Sequence, residues 1–337
     1  MTEAEDSPKN RRERREIFTI EFQEGQDSES PGVSGTKHLF SRRASHQPEV
    51  KWTLQNAEQD DRFSTSKVQP PLFLQIIHIS DTHFGPNRDH TIRGAAVANR
   101  VEMLVRSINE LSFQPDFVIH TGDVVNAPDE NAYRLAESVL SKLKAPVFYA
   151  TGNHDDQSMM RAALTFGSHT PLLTESDEIC YQIDHPDFDL FVMDGKVPEE
   201  EGPHGFLSEA QMEAVLDAVR PKTPVAVFLH FPLLNIASRW IDEHLPVKNG
   251  EEFHQILREK AGTNLRGVFT GHLHRGLQIY RDQVLYSGVS SPACEFTAGP
   301  DDDFCDFLPD CAVPFNHVTM TREATVVKSY ALPFHGK

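Results

Sequence analysis

Basic side chains are in short supply: 32 Lys and Arg stand against 50 Asp and Glu, a formal net charge of −18 over 337 residues. Such a chain repels long nucleic acids and anionic membrane surfaces unless it keeps a local basic groove. Residues 1–70 hold 11 basic and 13 acidic residues, so most of the deficit falls on the remainder. Cysteine is scarce as well. Cys180, Cys294, Cys305 and Cys311 form no C-x-x-C pair, which excludes a zinc ribbon or a thioredoxin-type motif. Three of them share one acidic stretch, where a disulfide or an extra metal site stays open. No apolar run approaches the roughly 20 residues that span a bilayer. The opening residues MTEAEDSPKNRRERRE have no signal-peptide pattern. There is no internal repeat. These absences lead us to expect a cytoplasmic protein with neither a membrane nor a long nucleic acid as partner.

Residues 1–70 are rich in Ser, Glu, Gln, Arg and Asp, and we read them as a largely disordered extension. Short apolar pieces at 17–22 and 50–54 could instead add strands to a host domain. Arg11, Arg12, Arg14 and Arg15 alternate with Glu and read as a solvated face. Pro70-Pro71 marks the boundary, and we place one domain over 71–335. Its first half reads strand (72–79), helix (94–112), strand (116–120), helix (129–143), strand (146–150). The first helix carries Val101, Leu104, Val105, Ile108 and Leu111 at helical spacing. This alternation predicts parallel strands with crossover helices. Further strands follow at 179–183, 190–193, 225–229 and 265–269. Ser208 and Gln211 form a capping-box pattern ahead of a helix, and 251–260 reads as another helix. Short β-type runs (276–281, 283–287, 317–320, 324–331) close the chain.

Five of these apolar strands end in residues able to hold a metal ion: Asp81/His83, Asp123, Asn153/His154, His230 and His272/His274. At a frayed strand end, residues two apart point to one side, so Asp81 and His83 can converge on one point. Carboxylate oxygen and imidazole nitrogen together suit a divalent ion. Gly122, Gly152 and Gly271 each precede one of these clusters, where glycine lets backbone turn sharply and approach closely. Ligand groups at the C-terminal ends of strands are the usual arrangement in open α/β sheets. One such cluster would be an ordinary polar turn; five in succession point to a metal site.

In this order, DTH, GDVVN, GNHD, LHFP and GHLH resemble the calcineurin-like metallophosphoesterases, and the wording SDTH, GNHDD and GHLHRG resembles most closely their class III cyclic nucleotide phosphodiesterases. The resemblance runs over about residues 72–290. It implies a four-layer α-β-β-α sandwich with two mixed sheets and the site at one edge. It also implies that Asp81, His83 and His274 hold one metal, that Asn153, His230 and His272 hold the other, and that Asp123 bridges both. His154 would be catalytic, facing the substrate phosphate as hydrogen-bond donor or as acid to the leaving alkoxide, with Asp155 orienting it or its loop. Asn153 and His154 would also contact substrate, and Cys294 would line the pocket. The implied cofactors are two divalent ions, Fe and Mn foremost, with Zn or Co compatible. The implied reaction is hydrolysis of 3′,5′-cyclic AMP to 5′-AMP through attack of a metal-bridging hydroxide. Linear diesters such as glycerophosphodiesters are the alternative. A non-catalytic metal-bound scaffold and a redox di-iron protein are weaker readings, since all seven ligand positions are filled and the set is rich in His.

The remaining residues take plainer readings. His78 and His120 sit inside apolar strands and read as core or supporting histidines. His90, His204 and His317 could approach substrate, and Asp301-Asp302-Asp303 reads as a solvated loop. No Arg or Lys lies inside the motifs (Arg275 follows the last), which favours a small monoanionic diester over a dianionic monoester. A homodimer is compatible with this reading.

Overall fold

Strands come first where β-branched and aromatic residues run together. In order, the chain forms β1 (Phe73–Ile79), α1 (Val97–Asn109), β2 (Phe117–His120), α2 (Glu130–Leu140), β3 (Val147–Tyr149) and α3 (Gln157–Ala163). Then follow β4 (His169–Pro171), β5 (Tyr181–Ile183), β6 (Asp189–Val192), α4 (Glu209–Ala218), β7 (Val225–Phe228), α5 (Arg239–His244) and α6 (Gly250–Ala261). The rest is all β: β8 (Leu265–Thr270), β9 (Leu277–Arg281), β10 (Val284–Gly288), β11 (Glu295–Thr297), β12 (Asp306–Leu308), β13 (Val313–Thr321) and β14 (Thr325–Leu332). This computed structural model describes residues 73–198, 201–308 and 311–334. All of them belong to Thr65–Lys337, one of two units into which the chain divides. The extension expected over residues 1–70, with its short apolar pieces, lies outside the described residues.

One sheet has the order β14-β13-β1-β2-β3, the other β4-β5-β6-β7-β8-β10-β9. Both are mixed. β1, β2 and β3 run parallel, as do β6, β7, β8 and β10, while β13, β14, β4, β5 and β9 pair antiparallel. The sheets meet face to face across one core in which Phe117 and Phe148 of the first pack with Phe228 and Phe269 of the second. Helices α1 and α2 cover the outer side of the first sheet through Val101, Leu104, Val139 and Leu140. On the far side of the second, Val215 of α4 and Phe253 and Leu257 of α6 join Val225 and Val227 in a separate cluster. This is the four-layer sandwich that the resemblance implies.

The helical periodicity of α1 is borne out at Val101, Leu104, Val105 and Ile108, which are buried, whereas Leu111 lies past the last helical residue, Asn109, and is only partly buried. The helix starts later than expected because Arg93 and Gly94 take left-handed φ values of 47° and 90°, which an α-helix cannot include. The capping box is only half formed. Ser208 accepts from the Gln211 amide, but the Gln211 side chain accepts from the Asp194 amide and donates to the Asp194 carbonyl. A buried backbone pair outbids the helix terminus, since unsatisfied buried amides are costly. Among the described residues, five short α-helices and strands have no counterpart in the sequence reading: α3, β4, α5, β11 and β12. All four cysteines are free, so the open disulfide does not form.

Candidate metal centre

The residues of the five motifs lie just beyond the C-terminal ends of β1, β2, β3, β7 and β8. Register makes them meet. Ile79 of β1 pairs with His120 of β2, so both strands end level. The loops then continue side by side, with the amides of Asp81, His83 and Phe84 donating to the carbonyls of Gly122, Asp123 and Val124 at 3.0, 3.0 and 2.9 Å. In the second sheet the Leu229 amide donates to the Phe269 carbonyl and the Gly271 amide to the His230 carbonyl. A side chain at Gly152 would put its Cβ 2.1 Å from a carboxylate oxygen of Asp123, and one at Gly271 would put it 1.9 Å from the Ser80 hydroxyl. Here glycine is required by close approach of the loops, as its placement in the motifs predicted.

Two groups of ligand atoms result: Asp81, His83, Asp123 and His274, and Asp123, His230 and His272. Asp123 belongs to both. His230 Nε2 stands 3.3 Å from Asp123 Oδ2 and His83 Nε2 stands 3.6 Å from it. His274 Nε2 is 3.3 Å from Asp81 Oδ1. The Asn153 side-chain oxygen lies 3.3 Å from His230 Nε2. Histidines face one another nitrogen to nitrogen, His83 with His274 at 2.9 Å and His230 with His272 at 3.0 Å. Such convergence of lone-pair donors has little purpose in a core and suits a cation at the centre. Backbone strain marks the same place: Asp81, His83, Asp123, His272 and His274 all have φ between 45° and 65°. Left-handed backbone costs a side-chain-bearing residue on the order of 1 kcal/mol or more and gathers at functional sites.

Neighbouring groups aim these nitrogens. His230 Nδ1–H donates to the Thr121 carbonyl at 2.7 Å and His274 Nδ1–H to the Cys294 carbonyl at 3.0 Å, which turns each Nε2 inward. His83 Nδ1 and His272 Nε2 are buried and have no hydrogen-bond partner. Burial lowers His83 and His272 to about 3. The same burial opposes charge on His230 and His274, yet Asp123 and Asp81 hold them up at about 9 and about 10. Burial likewise works against both carboxylates, and the imidazolium neighbours nevertheless pull them below the ordinary carboxylate range. Two buried carboxylates are thus balanced by two imidazolium ions. Metal ions would supply the same balance and displace those protons. By donor set and charge, these residues fit the two-ion centre.

His154 stands beside the cluster rather than in it. Its ring is 4.9 Å from that of His83, its amide donates to Asp123 Oδ1 at 2.9 Å, and its Nδ1 lies 2.7 Å from the Asn126 carbonyl. Asp155 does not touch the His154 ring. Fully buried, it accepts from the amides of Val124, Val125 and Gly152 and from the Tyr133 hydroxyl. It therefore ties the Asp123 loop to the Asn153 loop, so of its two expected roles only loop support is seen. Burial, with the Asp123 charge, raises its carboxyl to about 6. His78 and His120 are buried supports. The Thr82 hydroxyl donates to the Val124 carbonyl, so it must accept from His120 Nε2 at 2.9 Å. His78 Nε2 lies 2.9 Å from the Thr121 hydroxyl. Each histidine holds a threonine one or two residues from a motif carboxylate.

A cavity of about 260 Å³ opens over His83, Asp123, Asn153, His154, His272 and His274, and buried Cys294 is part of its wall. A second of about 380 Å³ adjoins it through Asn126, Asn153 and His154. The molecule's larger cavity of about 560 Å³, around Phe166, His169 and Tyr181, contains none of the motif residues. His90, His204 and His317 line neither of the first two. The His90 ring fills the space beside Gly85, and His317 stacks on Phe113. Sequence reasoning missed Arg93, Asn126, Lys196, Trp240, Phe296 and Phe307, which do line them. Asn126 closes the GDVVN motif without having been singled out, whereas the others come from loops, from α5 and from the β11–β12 hairpin, whose arrival at the site no local pattern announces. Two cations that the motifs lack do stand at the rim, each already engaged by the protein. Arg93 lies over the Phe307 ring and Lys196 donates to the Asp155 carbonyl.

Residues 74–276 match the family model described as calcineurin-like phosphoesterase. The 3′,5′-cyclic adenosine monophosphate phosphodiesterase CpdA of Vibrio vulnificus is 23% identical over 232 residues, covering 68% of this chain and 80% of that protein. The glycerophosphodiester phosphodiesterase GpdQ of Enterobacter lignolyticus is 30% identical over 244 residues, covering 66% of this chain and 85% of that protein. Among solved structures, a dimetal phosphatase from Danio rerio shares the fold with a TM-score of 0.55 at 15% identity, over 78% of this chain and all of that one. With a family match over most of the sandwich and both ligand groups assembled at its edge, the chain belongs to the calcineurin-like phosphoesterases.

Proposed function

We propose that this protein is a dinuclear-metal phosphodiesterase that hydrolyses a small phosphodiester, 3′,5′-cyclic AMP in the first place, to 5′-AMP. The observation that carries the reading is the shared carboxylate: Asp123 stands in both ligand groups, with His154 at hand over the same cavity. In this reading Asp81, His83 and His274 hold one ion, Asn153, His230 and His272 hold the other, and Asp123 serves both. Fe and Mn are the ions we assign. When bound, the pair supplies Lewis-acid chemistry toward phosphoryl oxygens and lowers the pKa of water. His154 supplies the proton. With Nδ1–H donating to the Asn126 carbonyl, Nε2 is left to serve the substrate. Buried Asp155 keeps the two loops in register during turnover.

The preference for diesters rests on charge and on the named relatives. Bound ions would neutralise the single charge of a diester, while the further charge of a monoester would have to look to the rim. There Arg93 and Lys196 already have protein partners. We therefore expect the Mn-loaded protein to show a higher kcat/KM for 3′,5′-cAMP than for 5′-AMP. Side-by-side assays at one metal loading decide it: a preference for monoesters removes the substrate class, and a preference for glycerophosphodiesters over cyclic nucleotides removes only the finer assignment.

No helix among the described residues is long and apolar enough to cross a membrane, and a cytoplasmic location remains part of the proposal. So does the domain boundary. All the site residues follow Phe73, so a chain beginning at Val68 should fold and bind two ions. Insolubility of that shortened chain, measured against the full one, would show that residues 1–67 contribute to the fold.

A further inference from the structure

The β11–β12 hairpin belongs to neither large sheet. Its register sets Phe296 directly opposite Phe307, so both rings rise from one face. They meet edge to face at 4.8 Å and 86°. Phe296 lies flat on the imidazole of His274, at 4.3 Å and 23°. This aromatic surface is therefore continuous with a metal-ligand histidine. Trp240 of α5 and Arg93 of the β1–α1 loop line the same cavity, and the Arg93 guanidinium sits 3.3 Å from the centre of the Phe307 ring. Phe307 belongs to none of the three hydrophobic clusters of the described residues. A large half-buried ring that packs no core and faces a cavity calls for a ligand.

We propose that Trp240, Phe296 and Phe307, with Arg93 laid over Phe307, form a specificity wall that receives a neutral planar base carried by the substrate. The proposal takes only the position of the phosphate, over the ion pair, from the phosphodiesterase reading. Aromatic walls have two common cargoes. Planar bases stack on aromatic rings and on guanidinium planes. Quaternary ammonium groups bind the negative faces of such rings. Arg93 decides between them. It already occupies the face of Phe307, and its positive charge repels a second cation in the same cavity. A choline-type head group is disfavoured on both counts, whereas a nucleobase gains a cation–π and a stacking partner. The wall thus selects nucleoside phosphoesters against glycerophosphocholine-like diesters, although both kinds of diester present the same phosphate to the ions.

The test uses phosphate ligands that differ only in what the wall would touch. With the Mn-loaded full chain, calorimetry compares 5′-AMP, ribose 5-phosphate, phosphocholine and inorganic phosphate. Stacking on an aromatic side chain is worth roughly 5- to 150-fold in affinity. AMP should exceed ribose 5-phosphate by a factor in that range, and phosphocholine should bind no better than phosphate. Phe307→Ala should erase the difference between AMP and ribose 5-phosphate, and Phe307→Tyr should keep it. Exposed Arg93 can be changed without disturbing a core, so Arg93→Gln guards against misfolding of the alanine variant. It should weaken AMP and strengthen phosphocholine. Equal affinity for AMP and ribose 5-phosphate in the unaltered protein overturns the wall. So does tighter binding of phosphocholine than of phosphate. Turnover is scored separately. Loss of the diesterase reading with the AMP difference intact leaves the wall standing, and diester hydrolysis without that difference removes the wall alone.

Discussion

Asp123→Ala is expected to lose both ions and to take diester hydrolysis to background. Asp123 is the one residue common to the two ligand groups, and its carboxylate is almost wholly buried. Its removal also leaves His230 without the charge that holds its proton, and it takes the acceptor from the His154 amide. Breaking a buried pair by deleting one partner costs about 3–5 kcal/mol, so some loss of folding stability should accompany the loss of metal. Elemental analysis of the purified variant gives the ion count, and a thermal melt gives the stability. Two ions retained per chain would sink the bridging role. A pH dependence follows from the same geometry. In the metal-free chain His230 and His274 hold protons up to about 9 and about 10, and a metal must displace them. Apparent metal affinity should therefore rise as pH increases toward those values and fall as it drops. An affinity independent of pH between 6.5 and 9 would contradict the assignment of those two histidines as ligands.

The strand-end motifs were legible because they are local. Each joins an apolar strand to a turn containing a carboxylate, amide or imidazole, and parallel register within each sheet, with the two sheets packed face to face, then brings five such turns together. The helical face of α1 was legible for the same reason: periodicity writes burial directly into sequence. What stayed hidden depends on partners remote in the chain. Phe296 and Phe307 look like ordinary apolar residues in an acidic loop until hairpin pairing sets them opposite each other and His274 receives one of them. Arg93 shows its role only through Phe307, 214 residues further on by number. Gln211 looked like half of a capping box, and a tertiary demand from Asp194 redirected its side chain. Asp155, adjacent to His154, is placed by the sequence to orient that ring or its loop; its burial among three amides and a tyrosine hydroxyl assigns it to the loops. The cations at the rim show the same limit, since a charge count confined to motifs cannot see residues that arrive through folding.

His154→Ala should separate acid catalysis from metal binding. The side chain of His154 is in neither ligand group, and the contact it makes with Asp123 runs through its backbone amide, which alanine retains. The variant should accordingly keep two ions per chain. Loss of a positioned acid typically costs about 10²–10⁴-fold in rate. That range applies where the departing alkoxide is a poor leaving group, as the ribose oxygen of a cyclic nucleotide is. A p-nitrophenyl diester releases a stable anion and needs little protonation, so the deficit should shrink markedly for it. If both substrates lose rate equally, His154 serves by holding the phosphoryl oxygen rather than by delivering a proton. If the variant instead loses metal, the ring belongs to the ion centre after all, and the division of roles between Asn153 and His154 must be redrawn. Asn126 offers a control on the same proton. Its carbonyl is backbone, so Asn126→Ala preserves the acceptor at His154 Nδ1, and that variant should keep the leaving-group dependence of the unaltered protein.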